Sequence, residues 1–160
     1  MMFRSPCPRP EQIRLAFCET LNVLVANGMA LYNAAAKAHW NTRGPLFVEL
    51  HALFGEVKDG AAEWNDTIAE RVARLGGVAV AISEETVALA TLPAFPKDET
   101  DGLKLCAALA ACVDAYNLAL YDATDRANTM GLWVDVNDLS AIASAVEKLG
   151  WMLSATLEKA

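Results

Sequence analysis

The sequence predicts an all-α fold, a four-helix bundle made by one domain. Its 160 residues are 54% hydrophobic and 21% charged, which suits one compact domain with a sizeable core. Four long segments place apolar residues three and four positions apart, as one face of a helix requires, and almost nothing alternates as a strand would.

The first two helices are predicted on either side of a short turn. One begins near Pro10, which suits a first helical position, and its apolar stripe runs to Ala35. The next stripe runs from Phe47 to Leu75 and is stopped by Gly76-Gly77. Because only a Gly44-Pro45 turn separates the two helices, we expect antiparallel neighbours.

A long connection and a second helical pair follow. Residues 78–100 hold a short predicted helix after Ser83 and are long enough to cross the bundle. The third stripe runs from Leu105 to Ala127, and the fourth helix, capped by Asp135 or Asn137, continues to the C-terminus. The expected topology is up-down-down-up, with one long link between two hairpins.

Composition excludes several classes of function. The longest apolar run, Leu105 to Val113, is far shorter than the roughly 20 residues of a membrane span. The start of the chain has no apolar signal core, so a cytoplasmic protein is expected. Thirteen basic against 20 acidic residues give a net charge of −7, which disfavours tight DNA binding and favours metal cations.

The four cysteines form no C-x-x-C pair, and we expect mostly buried thiols. They are Cys7, Cys18, Cys106 and Cys112. Cys7, in the proline-rich start, is either reactive or a bystander.

Only two histidines occur, and no Glu-x-x-His, so any metal site must combine few imidazoles with several carboxylates. Asp66 and Glu70 lie one helical turn apart and can face one cation. His51 stands on the same helix, but 19 residues before Glu70, roughly 28 Å away at 1.5 Å per residue. These groups cannot meet within one chain.

Two copies of the second helix, antiparallel across a two-fold axis, would bring them together. Each of two sites would then take His39 and His51 from one chain and Asp66 and Glu70 from its mate. The alternative is that both histidines are hydrogen-bonded side chains at a helix turn. Asp66, Glu70, Arg71 and Arg74 would then form a solvated face with ion pairs.

Several motifs in order resemble the Dps family (DNA protection during starvation), the miniature ferritins. They are His39-Trp40-Asn41, Gly44-Pro45, Phe47, Leu50-His51, Asp66-x-x-Ala69-Glu70-Arg71, Leu75-Gly76-Gly77 and the segment Glu147 to Leu153. The resemblance implies a ferritin-like four-helix bundle with a long crossover containing a short helix, over residues 10–160 after a flexible tail at 1–9.

The resemblance also implies a function. It implies a homo-oligomer, a hollow dodecamer that binds ferrous iron at two-fold inter-subunit sites and oxidises it with hydrogen peroxide. The ferric mineral would be stored inside, which protects against oxidative stress. The implied ligands are His39, His51, Asp66 and Glu70. Trp40 is similar to the family's aromatic neighbour of the site, which takes up oxidising equivalents, or else it is a packing anchor.

Two departures from the family are expected to matter. Gly55 stands where the family usually has a carboxylate, so one iron position should be weaker, completed by water or by Asp59. The start supplies only Arg4 and Arg9 where DNA-coating members have a lysine-rich tail, so DNA binding should be weak or absent. The alternatives are a metal-binding cage without turnover and a nucleoid-associated shell.

Two acidic residues near the start of the last helix allow two functional interpretations. Asp135 and Asp138 either line a three-fold pore that draws in iron or, for at least one of them, cap the helix.

Overall fold

The computed structural model describes residues 4–158 as five α-helices without a β-strand. The helices are α1 (Glu11–Asn41), α2 (Phe47–Leu75), α3 (Ser83–Leu89), α4 (Gly102–Thr129) and α5 (Trp133–Leu157). The predicted all-α bundle with a short helix in its crossover is confirmed. Residues 1–3 of the predicted tail and 159–160 of the predicted domain lie outside the described residues.

Two helical hairpins form the bundle. α1 packs along α2 and α4 along α5, and the hairpins meet through α1 against α4 and α2 against α5. The core is built from the apolar stripes that the spacing predicts. Its largest fully buried side chains include Phe17, Leu21, Leu24, Leu31, Phe54, Leu105, Leu109, Tyr116 and Leu120.

Glycines follow two of the helices in a left-handed conformation that other residues disfavour, and the first of them, Gly76, is the stop that the sequence predicts. Gly76 has φ +94° after α2, and Gly131 has φ +67° after α4. The predicted cap of the last helix is wrong. α5 begins at Trp133, so Asp135 and Asn137 lie inside its first turn and beyond, and no side chain caps it.

Two helices have the length and hydropathy of membrane spans. They are α1 and α4, and about half of each apolar stretch, 50% and 44%, is buried inside the bundle. The buried residues of both are those of the shared core. Their hydropathy therefore indicates core packing and is weak evidence for a membrane.

The described part of the start of the chain lies against the bundle. The Ser5 hydroxyl donates to the carbonyl of Arg74 at 2.7 Å, and Arg9 Nε donates to the carbonyl of Gly131 at 2.9 Å. These bonds link the segment before α1 to the ends of α2 and α4.

Candidate metal centre

The turn between α1 and α2 is tied to the start of α4. The backbone N–H of Arg43 donates to Thr100 at 2.8 Å, and that of Gly102 donates to Arg43 at 3.0 Å. Gly102 allows this approach, since a Cβ there would lie 3.1 Å from the carbonyl oxygen of Arg43. The turn between the two histidine-bearing helix ends is thus anchored to the start of α4.

His39 and His51 bind each other reciprocally through their backbones. Nδ1 of His39 lies 2.6 Å from the carbonyl oxygen of His51, and Nδ1 of His51 lies 2.8 Å from that of His39. The two rings stack with centroids 3.7 Å apart and planes inclined by 20°. Phe47 extends the stack on His51, at 5.3 Å.

These bonds assign the free nitrogen of each imidazole. A carbonyl oxygen only accepts, so each Nδ1 carries the hydrogen and each neutral ring presents a lone pair at Nε2. Within residues 4–158 neither Nε2 makes a hydrogen bond. Metal-ligating histidines usually donate their other N–H to a carbonyl or carboxylate in this way. Both rings are half-buried.

Asp66 and Glu70 lie at the other end of α2, one turn apart and both exposed. Neither carboxylate has an ion-pair partner in the described chain. The ion pairs that the solvated-face alternative supposes are therefore absent there, and Arg71 pairs with Asp135 instead. A cavity of about 510 Å³ opens beside Asp66, lined among others by Met29, Tyr32 and Val80.

One chain does not bring these two half-sites together. Fifteen residues separate His51 from Asp66, roughly 22 Å along a straight helix. No group of three or more His, Cys, Asp or Glu side chains among residues 4–158 is placed to hold a metal ion. A centre using all four residues requires a second chain.

Gly55 and Asp59 lie between the two half-sites. Gly55 is buried under the His39 ring. The Asp59 carboxylate lies 3.1 Å from Lys58 Nζ and is largely exposed. It stands two helical turns from His51, roughly 12 Å along the axis, so the chain does not bring it to that imidazole.

The tryptophans differ in their environments. Trp40 is 66% exposed and Trp151 is 69% exposed, so neither packs into the core of its own chain. Trp64 is buried and stacks on Tyr116, with ring centroids 6.4 Å apart.

A buried ion pair is the main feature that sequence reasoning missed. Arg71 donates Nε and Nη2 to the two carboxylate oxygens of Asp135, both at 2.8 Å. Asp135 is 1% exposed, so neither the capping nor the pore interpretation holds for it. A signal existed, because Arg71 interrupts the apolar stripe between Ile68 and Leu75. Asp138 is half-buried beside the pair.

A second missed contact ties α1 to the crossover. The buried Asn27 accepts a hydrogen bond from the Thr91 backbone at 2.7 Å and donates Nδ2 to the Thr91 hydroxyl at 3.1 Å. A fully buried amide must find partners of this kind.

Comparisons with known proteins agree with this architecture. The family model of the ferritin-like domain matches residues 18–160. A DNA protection during starvation protein from Brevibacillus brevis is 36% identical over 141 residues, which cover 86% of this chain and 92% of that protein.

Solved structures show the same fold. DpsC from Streptomyces coelicolor superposes with a TM-score of 0.94 at 26% identity, over 100% of this chain and 94% of that one. A Dps protein from Vibrio cholerae O1, titled a member of a broad superfamily of ferritin-like diiron-carboxylate proteins, gives 0.89 at 26% identity, covering 94% of each chain. With the family model and the Brevibacillus relative, these likenesses show that the chain belongs to the ferritin-like domain family and, within it, to the Dps proteins.

Proposed function

We propose that this protein binds and oxidises ferrous iron at sites shared between two chains, and stores the ferric product inside a cytoplasmic cage. The cage is a homo-oligomer, a dodecamer in our proposal, and hydrogen peroxide is the oxidant. The protein thereby protects the cell from peroxide and free ferrous iron. Membership of the Dps proteins supports the iron-storage and stress-protection role.

One observation supports the proposal that the metal site is shared between two subunits. One end of α2 carries His51 beside His39 of α1, and the other end carries Asp66 and Glu70. Within residues 4–158 neither Nε2 makes a hydrogen bond and neither carboxylate makes an ion pair. Two copies of α2 related by a two-fold axis and running antiparallel would place each end against its complement. The nitrogen and oxygen donors together suit a divalent transition metal.

The proposed reaction balances with two ferrous ions per peroxide. Each ion gives up one electron, the O–O bond of hydrogen peroxide breaks, and two protons are taken up to release two waters. Because both electrons reach the peroxide, no hydroxyl radical leaves the site. His39 of one chain, with Asp66 and Glu70 of the other, holds the better iron position in this proposal.

His51 serves the weaker position, because Gly55 offers no ligand there. Water would complete it, because Asp59 stands two helical turns from His51 and pairs with Lys58. Trp40, exposed beside His39, is placed in the proposal as an acceptor of oxidising equivalents or as a packing residue against the second chain.

The test is ferrous iron oxidation after anaerobic addition of peroxide, followed by absorbance. We expect the double variant Asp66→Ala, Glu70→Ala to lose the fast phase. A matched control, Asp98→Ala, Asp114→Ala, removes two exposed carboxylates elsewhere and should retain it. Equal traces for the wild type and the Asp66/Glu70 variant would contradict the proposal.

Gly55 favours a second candidate, a cage that holds divalent ions without efficient turnover. It predicts metal binding that depends on Asp66 and Glu70 without accelerated iron oxidation. Anaerobic binding of Co²⁺, followed by its visible absorption, separates this candidate from the first. DNA binding is weak or absent under both.

A further inference from the structure

Gly55 lies directly beneath the His39 imidazole. A Cβ at this position would come within 3.2 Å of both Cε1 and Nδ1 of His39, and it would meet no other side chain within 4 Å. Ordinary contacts between carbon atoms are about 3.5–4.0 Å. Any side chain at residue 55 would therefore push against this ring.

The ring has little room to retreat. Its Nδ1 lies 2.6 Å from the carbonyl oxygen of His51, and its ring stacks on the His51 ring with centroids 3.7 Å apart. A shift away from α2 would lengthen the hydrogen bond and open the stack. The position of the His39 ring is thus limited on one face by the backbone at Gly55 and held by the hydrogen bond and ring stack with His51.

Backbone conformation does not explain a glycine here. The glycines with positive φ in the described chain are Gly44, Gly76 and Gly131, and Gly55 has the ordinary conformation of a residue inside α2. Glycine in a helix interior destabilises the helix relative to alanine. Instead, the close approach of the His39 ring requires that residue 55 has no side chain.

We propose that Gly55 is a positioning residue that seats His39 for metal binding, rather than only a position that has lost a ligand. It lets the imidazole lie on α2 with Nδ1 bound and Nε2 free. It also means that a carboxylate placed at residue 55 would shift the His39 ring by a few tenths of an ångström while offering its own ligand atoms. The proposal rests on the proposed function for the identity of His39 as a ligand.

The first test needs no metal and uses a double-mutant cycle on the intact, metal-free protein. Gly55→Ala in the wild type should lower the melting temperature or fail to raise it, because the new methyl group meets His39. In the His39→Ala background the same change should raise the melting temperature, because only the gain in helix propensity remains. Equal shifts in both backgrounds would overturn the proposal.

A matched control separates this effect from the general cost of adding a methyl group to a closely packed helix interior. Gly150 in α5 is buried, and a Cβ there would lie 3.3 Å from Val113 Cγ1, far in sequence from the histidines. The shift caused by Gly150→Ala should be the same with His39 and with His39→Ala. A shift that depended equally on His39 would mean that the cycle reports a global loss of packing, and it would overturn the assignment to residue 55.

The second test measures anaerobic Co²⁺ binding to the assembled protein. Mutation of a residue that orients a metal ligand typically lowers metal affinity 10–100-fold. Gly55→Ala and Gly55→Asp should therefore each bind Co²⁺ about 10-fold more weakly, or weaker still. Tighter binding or an additional Co²⁺ ion in Gly55→Asp would overturn the proposal, because Gly55 would then be simply a missing ligand. Wild-type protein without Co²⁺ binding would instead refute the proposed function, and the metal-free cycle would still decide the seating of His39.

Discussion

Arg71 and Asp135 form a bidentate ion pair in the interior of the bundle, with both nitrogen–oxygen distances at 2.8 Å. The pair joins α2 to α5, one residue after the proposed ligand Glu70. Arg71 is 9% exposed and Asp135 is 1% exposed. Hydrogen bonding to the Asp135 carboxylate, with Arg71 as the donor, is the main cause that raises the pKa of Arg71 above its ordinary value.

We expect Asp135→Asn to destabilise the protein strongly, because it leaves the Arg71 charge buried without its counter-charge. Breaking one partner of a buried pair typically costs about 3–5 kcal/mol in the free energy of unfolding. Denaturant unfolding measures the loss. The paired replacement Arg71→Met, Asp135→Leu should cost less. Asp59→Asn, which breaks the exposed pair with Lys58, should change little. A mild effect of Asp135→Asn would contradict the inferred role of the pair.

Mixing two inactive variants should restore part of the iron oxidation. One variant carries His39→Ala and His51→Ala, and the other carries Asp66→Ala and Glu70→Ala. In a mixed two-fold pair, one of the two shared sites has all four residues and the other has none. Random reassembly makes half of the pairs mixed, so about a quarter of wild-type oxidation should return. Native mass spectrometry verifies mixing, and no recovery after proven mixing would rule out shared sites.

Thiol labelling of the folded protein should stop at one cysteine. Burial raises the pKa of Cys106 to about 11, so at pH 8 only about one thiol in a thousand is a thiolate. Burial also raises the pKa of Cys18 and Cys112, whereas Cys7 is half-buried. Labelling by iodoacetamide with mass spectrometry should find Cys7 modified first. The other three should react faster as pH rises toward 11 or after unfolding.

Cys7→Ser is the control for the labelling experiment, since it should remove the fast reaction. Rapid modification of Cys106 at pH 8 in folded protein would show that its burial does not protect it.

The assembled protein should leave duplex DNA unshifted in a gel at low salt. The net charge of −7 repels phosphates, and Arg9 already donates its Nε to the carbonyl of Gly131. Adding a lysine-rich N-terminal segment should create a salt-sensitive shift, which serves as the positive control. A shift by the unmodified protein would contradict the expectation.

The bundle could be predicted from the sequence because its main signals are local. Apolar spacing three and four residues apart defines the buried faces of α1, α2, α4 and α5, and Gly44-Pro45 and Gly76 mark helix boundaries within a few residues. The exact start of α5 was not predictable in this way. Asp135 looks like a cap from its neighbours, yet its carboxylate binds Arg71, 64 positions earlier.

The candidate site likewise has features that follow from local spacing and features that depend on tertiary packing. The separation of His51 from Asp66 and Glu70 follows from the helical rise alone, so the need for two chains can be read from spacing. The reciprocal bonds of His39 and His51 depend on how α1 turns back onto α2. For the same reason the sequence indicates only that Gly55 lacks a ligand side chain. Its contact with the His39 ring depends on the packing of α1 on α2.

The paired hydrogen bonds of His39 and His51 distribute the entropy of metal capture unequally between the two chains. Both imidazoles are already immobilised when the single chain folds, so their rotamer freedom is lost before any metal arrives. Asp66 and Glu70 are exposed and make no ion pair within residues 4–158. Ordering a glutamate side chain costs up to about 2 kcal/mol at 25 °C. In the proposed centre the side-chain entropy lost on metal binding would thus fall chiefly on the carboxylate half.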